Sequence, residues 1–497
     1  MSHEQSDVEE IKRRRKQMKR AGWRKWLRRL FVTAASLLVL GTLAATIAWY
    51  VVRNQGIARR DAIIAELDAT DANWRTTDLT SARNASLPPD DQNAAAQALT
   101  AAKRIPKSFD EWVKKENWRT ELKLPHLPHP EQVEEARGVL AECGDAVRQA
   151  RSLPKYSSGG FPLTFNEPNP LDTLLPNTQE MRRVASLLEL NALLAAHDGK
   201  GNDSLDSGLA ALAVARGVCD EPGTIPMLVR MAVTSIAVKM TERTLAWTTA
   251  DDGTLARVQL ALAAEADVPR LKYAIRGDRA AMYRMMENLD AGRLTVSQIA
   301  ITPGGPTMLE RAGTILLRAT LPEQQARLLE LMNQGVAAAD RPSHERAEVF
   351  GDIEVWVKQA MARDRYQYLM VVLLLPAYSK MNEAETRVIA QVRCASVSLA
   401  CKRYRLKSGA FPAKLADLPK NLLSDVPADP YTGKPLVYKL TDEGAVVYVC
   451  GADRTDDGGN LKPGSEPGFD IGFQLFTPEH RRKPPLPKPD PDQPEHP

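Results

Sequence analysis

The sequence predicts a mainly α-helical protein in three parts. These are an N-terminal transmembrane helix, a body that is an α-helical bundle or a tetratricopeptide-like array, and a small C-terminal α+β domain. Three observations carry this. Leu30 to Val52 holds 23 residues without a charge, which as a helix at about 1.5 Å per residue reaches about 35 Å and crosses the hydrocarbon core of a bilayer. Residues 178 to 408 are rich in Ala and Leu, with apolar positions recurring at helical spacing. After Gly409 the pattern changes to short apolar runs divided by turn residues. With 497 residues, 43% hydrophobic and five cysteines, the chain is neither a disordered tail protein nor a disulfide-stapled miniprotein.

The formal net charge of +4 has two unlike sources. Residues 1–29 form a basic arm with eleven Lys/Arg against four Asp/Glu, a charge of +7, and the rest of the chain sums to −3. The basic residues crowd the near side of the span (Lys12 to Lys16, Lys19, Arg20, Arg24, Lys25, Arg28, Arg29), whereas Arg53, Arg59 and Arg60 alone follow it closely. The positive-inside rule then places the N-terminus in the cytoplasm and residues 53–497 outside, with residues 30–52 as the span. Trp23, Trp26, Trp49 and Tyr50 stand where interfacial aromatics are expected. The bilayer is the first expected partner, and no nucleic acid is expected, because a basic arm directly against an apolar span is a topology signal and an anionic-lipid contact. The reading is an uncleaved signal anchor. A cleaved signal peptide ending near Ala44, Ala45 and Ala48 is the alternative, with an n-region and an h-region longer than usual. Ile225 to Val238 contains Arg230, and Leu369 to Leu375 stops at Pro376; both are too short to span and are expected as buried helices.

Residues 53–177 read as a loosely structured helical and proline-rich region, with helices at Arg59 to Leu67, Gln92 to Lys103 and Pro130 to Arg151. An α-helical domain is expected over 178–381. Leu205, Leu209 and Leu212 share one face, as do Val229, Val233, Ile236 and Met240, and Asn202 to Ser204 offer an N-cap. No strict 34-residue period is present, so a solenoid is only one option for this body. Met282, Met285 and Met286 are expected to fill core. A final long helix runs from Asn382 to Lys407, with Gly409 as its C′ residue. Leu436 to Leu440 and Ala445 to Cys450, joined by Asp442-Glu443-Gly444, form a hairpin, and Phe469 to Phe476 supplies another strand. Residues 477–497 are expected to be a disordered, Pro-rich tail.

Residues 382–476 resemble the globular part of the major pseudopilins of type II secretion. The matching pieces are "YRLKSGAFPAKLADL" (Tyr404, Gly409, Phe411, Pro412), "DPYTGKPLVYK" (Asp429, Pro430, Gly433, Pro435, Tyr438), "VVYVCGADRTDDGG" (Gly451, Asp453, Asp456, Asp457, Gly458, Gly459) and "FDIGF" (Asp470, Gly472). The resemblance covers about 95 residues, in the family's order, and implies a pseudopilin-like α+β fold there. It also implies that the acidic loop before the last strand binds Ca²⁺ through Asp453, Asp456, Asp457 and Asp470. Chemistry agrees, since Ca²⁺ takes six to eight hard oxygens and neighbouring carboxylates repel one another without a cation or solvent between them. A solvated acidic loop is the other option. An EF-hand register starting at Asp453 fails, because Gly464 falls where Glu is required. The chain departs from pilins at its start. The span has no acidic residue, Gly22 is followed by Trp23, Arg24 and Lys25, and more than 300 residues separate the span from the pseudopilin-like part. Processing or polymerisation as a pilin is not expected.

No HExxH, GxSxG or Walker-type string is present. Ser152-Leu153-Pro154-Lys155 matches Ser-x-x-Lys, but Pro154 sits where that motif needs a helix. His126 and His129 lie in an extended proline segment that holds no coordination geometry. His197 and His344 read as helix-end residues. Cys394 and Cys401 lie two helical turns apart, too far for a disulfide, whereas Cys401 and Cys450 could meet if the hairpin packs on the helix. The functional expectation is a single-pass, membrane-anchored extracytoplasmic protein with a structural or protein-interaction role among other envelope proteins. The alternatives are an extracytoplasmic enzyme with its site in the helical domain, and an accessory component of a secretion or pilus-like system.

Overall fold

A computed structural model describes residues 2–218, 220–299, 308–364, 367–375, 378–461 and 469–487. Seventeen helices among them, with one three-stranded sheet, make the chain mainly helical. The first, α1 (Ser2–Thr70), runs through the whole apolar span and 18 residues beyond it. From Leu30 to Val52 every residue is exposed except the half-buried Trp49. The helix expected at Arg59 to Leu67 is therefore the far end of the helix that carries the apolar run and not a separate element.

Six helices follow: α2 (Thr76–Ala85), α3 (Ala94–Ala102), α4 (Lys107–Lys115), α5 (Trp118–Glu121), α6 (Pro130–Glu142) and α7 (Gly144–Arg151). The expected helix over Pro130 to Arg151 is broken at Cys143 into α6 and α7. This region is more ordered than its prolines imply. Asn93 caps α3 through Ala95 N–H, donates to the Gly160 carbonyl (2.9 Å) and accepts from Gly160 N–H (3.0 Å), so one buried side chain pins the loop to the helix start. Ala98, Trp112, Val133, Leu153 and Phe161 are buried in the same core as the following helices. Proline limits the length of each helix without preventing a short helix from burying one face.

The body continues as α8 (Pro176–His197), α9 (Gly201–Val218), α10 (Thr224–Trp247), α11 (Asp252–Ala266), α12 (Arg270–Asp290), α13 (Val296–Ile299), α14 (Met308–Ala339), α15 (Ser343–Arg363), α16 (Leu369–Leu374) and α17 (Tyr378–Ser408). Leu205, Leu209 and Leu212 are buried together, as are Val229, Val233 and Met240. Most of α10 is buried, as expected of a core helix containing Arg230. Met282, Met285 and Met286 fill a second core under α14 and α15. The body is mainly helical, with sequence neighbours such as α8–α9 and α9–α10 packed side by side, and a tetratricopeptide-like array is not confirmed by it.

α17 ends at Gly409, which adopts φ +82° while its N–H bonds the Arg405 carbonyl (2.9 Å), the C′ conformation that favours glycine. The sheet is an antiparallel meander of β1 (Val437–Thr441), β2 (Gly444–Val449) and β3 (Ile471–Phe476). Thr441 pairs with Gly444, so the hairpin loop is Asp442-Glu443. β2 is buried along its whole length. α17 packs on one face of the sheet, and the loop after β2 folds over the other, bringing Gly459 against Val446 and Tyr448. Ala98, Leu188, Val233, Leu399, Val447 and Phe473 belong to one core, so packing is continuous across residue 382.

The disordered tail expected from residue 477 does not describe residues 477–487. Lys483 N–H bonds the Pro125 carbonyl (3.2 Å), Leu127 N–H bonds the Lys483 carbonyl (2.9 Å), and Arg482 reaches the His197 carbonyl (2.9 Å). Prolines keep the segment extended, and its remaining amides and carbonyls find partners on the body. Residues 488–497 lie outside the described residues.

Candidate functional site

α1 meets the body at Arg53, the first residue after its uncharged apolar run. Its guanidinium grips both oxygens of Asp290 (2.8 and 2.9 Å) and donates to the Arg318 carbonyl (2.6 Å). That carbonyl is free for a reason in the sequence. Pro322, four residues on in α14, has no N–H to give it. Arg53 supplies the missing donor and allows α14 to continue through its proline. One turn later a Cβ on Gly56 would stand 2.7 Å from the Glu323 nitrogen, so glycine lets the two helices touch. Arg59 then pairs with Glu323 and Glu330, and Ile63 and Leu67 pack on Ala326 and Leu329. Asp71 closes the seam with Arg276 (2.6 Å) and Arg279.

The four predicted calcium ligands lie in one loop but do not converge. Asp453 turns back to accept Thr455 N–H (3.0 Å). Asp456 accepts Gly458 N–H (2.8 Å) and the Tyr448 hydroxyl (3.0 Å), and Asp470 accepts Gly459 N–H (2.8 Å). Gly458 and Gly459, at φ +71° and +82°, aim successive amides at these two carboxylates. Asp457 is exposed. Among the described residues no three His, Cys, Asp or Glu side chains share a metal-sized site. One feature fits a cation. The Oδ1 of Asp470 is buried without a partner, and burial, followed by the charges of Asp456 and Asp457, pushes its carboxyl up against the pull of the Gly459 and Asp457 amides.

The other residues singled out in the sequence find ordinary places. Ser152 closes α7, and Lys155 is exposed. His129 starts α6, while His126 Nδ1 contacts the Pro484 carbonyl (2.6 Å). His197 lies 3.3 Å from Asp198, and His344 lies 3.7 Å from Glu345. Cys143, Cys394, Cys401 and Cys450 are free thiols, so Cys401 and Cys450 are not joined, and burial pushes Cys401 up to about 12. Cys219 lies outside the described residues.

Three further features carry no sequence motif. A groove of about 450 Å³ runs between α6–α7 and α8–α9. Leu140, Val147 and Leu194 line it, and the pairs Arg137–Asp198 and Arg151–Asp203 (2.8 Å) border it. Its lining holds no Ser, Cys or His. In the centre of the body Arg230 pairs with Glu265 (2.9 Å), Arg270 lies between Glu265 (3.4 Å) and Glu385 (4.0 Å), and Arg346 pairs with Glu385 (2.7 Å). The charge inside an apolar run at Arg230 is the one sign of this centre in the sequence. Near the end of α17, Lys402 is 3% exposed; burial, then Arg481 and Arg405, push its amine down to about 7. Both arginines donate to the Phe476 carbonyl (Arg481 at 3.1 and 3.2 Å, Arg405 at 3.5 Å).

Comparison with protein-family models, with curated proteins and with solved structures finds no match for this chain.

Proposed function

We propose that this chain is a single-pass membrane-anchored protein whose body stands outside the cytoplasm and serves a structural or interaction role among other envelope proteins. The observation that carries this reading is the continuity of α1. A 23-residue uncharged, exposed stretch passes without a break into a seam of ion pairs and close packing that begins at Arg53. A flexible tether would leave the body free to rotate above the membrane, whereas a continuous helix sets its height and tilt. The +7 arm supports an N-terminus in the cytoplasm. The pseudopilin-like reading of residues 382–476 belongs to the same proposal, supported by a long helix followed by a three-stranded antiparallel sheet packed on it. Calcium at the Asp453–Asp470 loop is supported by the partnerless oxygen of Asp470.

Protease treatment of intact cells and of opened vesicles tests the topology. Residues 53–497 should be cut from the outside and remain in the membrane pellet after alkaline extraction. Protection of the body until the cytoplasm is opened would overturn the orientation, and a mature chain beginning after Ala48 would overturn the anchor.

A further inference from the structure

The orientation of each helix against α1 sets how far it reaches toward the membrane. α12 runs antiparallel to α1: Arg279 meets Asp71, Tyr283 packs on Trp74 (5.2 Å between ring centres), and Asp290, its last residue, meets Arg53. α15 runs antiparallel to α14, with Phe350 beside Gly335, Trp356 under Arg327 (5.3 Å) and Tyr368, past its end, 3.4 Å from Glu323. The last turns of α12 and α15 therefore come down to the level at which α1 leaves its apolar span, and stop there.

α14 does not stop there. It runs parallel to α1, with Arg318 at Arg53, Glu323 at Gly56, Gln325 at Arg60 (3.3 Å), and Ala326 and Leu329 at Ile63 and Leu67. The helix begins at Met308, ten residues before Arg318. Ten residues at 1.5 Å are about 15 Å of helix, directed past Arg53 toward the cytoplasmic end of α1. A bend at Pro322 tilts this stretch without reversing it. Its start then lies level with Leu43, inside the outer half of the apolar span. Trp49, one turn before Arg53 on the face that carries the seam, is half-buried with the Arg53 guanidinium over its ring (5.5 Å), while the other residues from Leu30 to Val52 are exposed. The sequence is suited to such a depth. No Asp, Glu, Lys or Arg occurs from Leu294 through Leu309, and the two charges before Arg318, Glu310 and Arg311, are adjacent and opposite.

We infer that the first turns of α14 enter the outer leaflet beside α1, so that the body is held by one spanning helix and one dipping helix, and that the partner of this surface is lipid. The inference rests on the anchor reading above. It explains why the seam begins at Arg53 with a proline partner. Arg53 and Asp290 neutralise each other at the membrane boundary, and the freed Arg318 carbonyl is satisfied where the pair enters lipid.

Spin labels on the full chain in nanodiscs test it, with Cys219 and Cys450 changed to serine. Single labels are placed at Met308→Cys, Thr314→Cys, Thr42→Cys in the span and Asp425→Cys on the exposed body, and collision with oxygen is compared with collision with a water-soluble nickel chelate. The expected result is a several-fold excess of oxygen over nickel at Met308 and Thr42, a smaller excess at Thr314, and none at Asp425. The gradient from Met308 to Thr314 keeps the test intact if one variant fails to fold. Nickel accessibility at Met308 and Thr314 equal to that at Asp425, with Thr42 protected, overturns the dipping helix and leaves the anchor standing. Nickel access at Thr42 overturns both.

Discussion

At the centre of the body five helices bring Arg230, Glu265, Arg270, Glu385 and Arg346 together, and each carboxylate faces two arginines. At the end of α17 Lys402 is buried just as deeply, but the charges nearest it are Arg405 and Arg481. The two regions face the same cost of taking charge out of water and meet it oppositely. In the first, Coulomb attraction and hydrogen bonds to the carboxylates offset part of the desolvation, although burial still pulls Arg270 down and leaves its Nε and Nη2 without hydrogen-bond partners, and they tie α10, α11, α12, α15 and α17 into one geometry. In the second nothing offsets it, and the amine becomes easier to deprotonate. Of these two regions, buried charge acts as a fastener in the one where carboxylates from separate helices converge.

The largest expected effect is at Glu385. Its Oε1 accepts Leu271 N–H (3.0 Å) and its Oε2 holds Arg346. Glu385→Ala strands both and leaves Arg270 with one partner, so a loss of about 3–5 kcal/mol is expected in denaturant unfolding. Glu385→Gln, which keeps the acceptor for Leu271, should lose less. A Glu385→Ala loss under about 1 kcal/mol would erase the distinction between the two regions.

Lys402→Met is expected to act in the opposite direction. The folded amine sits at about 7 and the unfolded amine near its ordinary 10.5, so between these values the unfolded chain binds more protons. Stability from this group therefore rises as pH increases from about 7 to 10.5, and the group destabilises the fold at and below pH 7. The methionine variant should be more stable at pH 7 and should lose the rise between pH 7 and 9.5. Glu242 supplies the opposite limb. Burial pushes its carboxyl up to about 7 from 4.5, against the Gln474 N–H it accepts (2.7 Å), so stability from it falls as pH rises between those values. Glu242→Gln should flatten that fall. Unchanged pH slopes in both variants would mean that neither group titrates as its surroundings imply.

Much of this was legible in the sequence, and the exceptions have physical causes. The long apolar helix at the N-terminus was visible because 23 consecutive uncharged residues stand out from the rest of the chain. Its continuation was not, because residues 53–70 carry a mixed pattern whose meaning depends on α14, over 250 residues away. Pro322 marks a helix end by local rules, and only the donor from Arg53 makes it an interior residue. The strands were visible from alternation and turn residues. The docking of residues 477–487 was hidden because proline content reports the lack of a helix but not whether an extended segment finds partners. At the acidic loop the residue types were readable, but the direction of each carboxylate is set by the left-handed Gly458 and Gly459 and by Tyr448 on β2.

Asp470 stands between the two regions compared above, and the smallest effect is expected there. One oxygen is matched by Gly459 N–H and the other is buried without a partner. Without a cation, Asp470 is a weaker case of Lys402, and Asp470→Asn should leave stability unchanged or slightly raised, because the amide oxygen still accepts Gly459 N–H while the charge repelled by Asp456 and Asp457 is gone. With Ca²⁺ it becomes a case of Glu385, a carboxylate held by opposite charge. Binding only to the folded chain adds about 1.4 kcal/mol at ten times Kd. Thermal unfolding with and without millimolar Ca²⁺ separates these cases. A rise in Tm for the natural chain that Asp470→Asn abolishes and Asp457→Ala reduces places the loop with the matched centre. No shift in any chain ends the calcium reading and leaves Asp470 as a second buried charge that the fold tolerates without using.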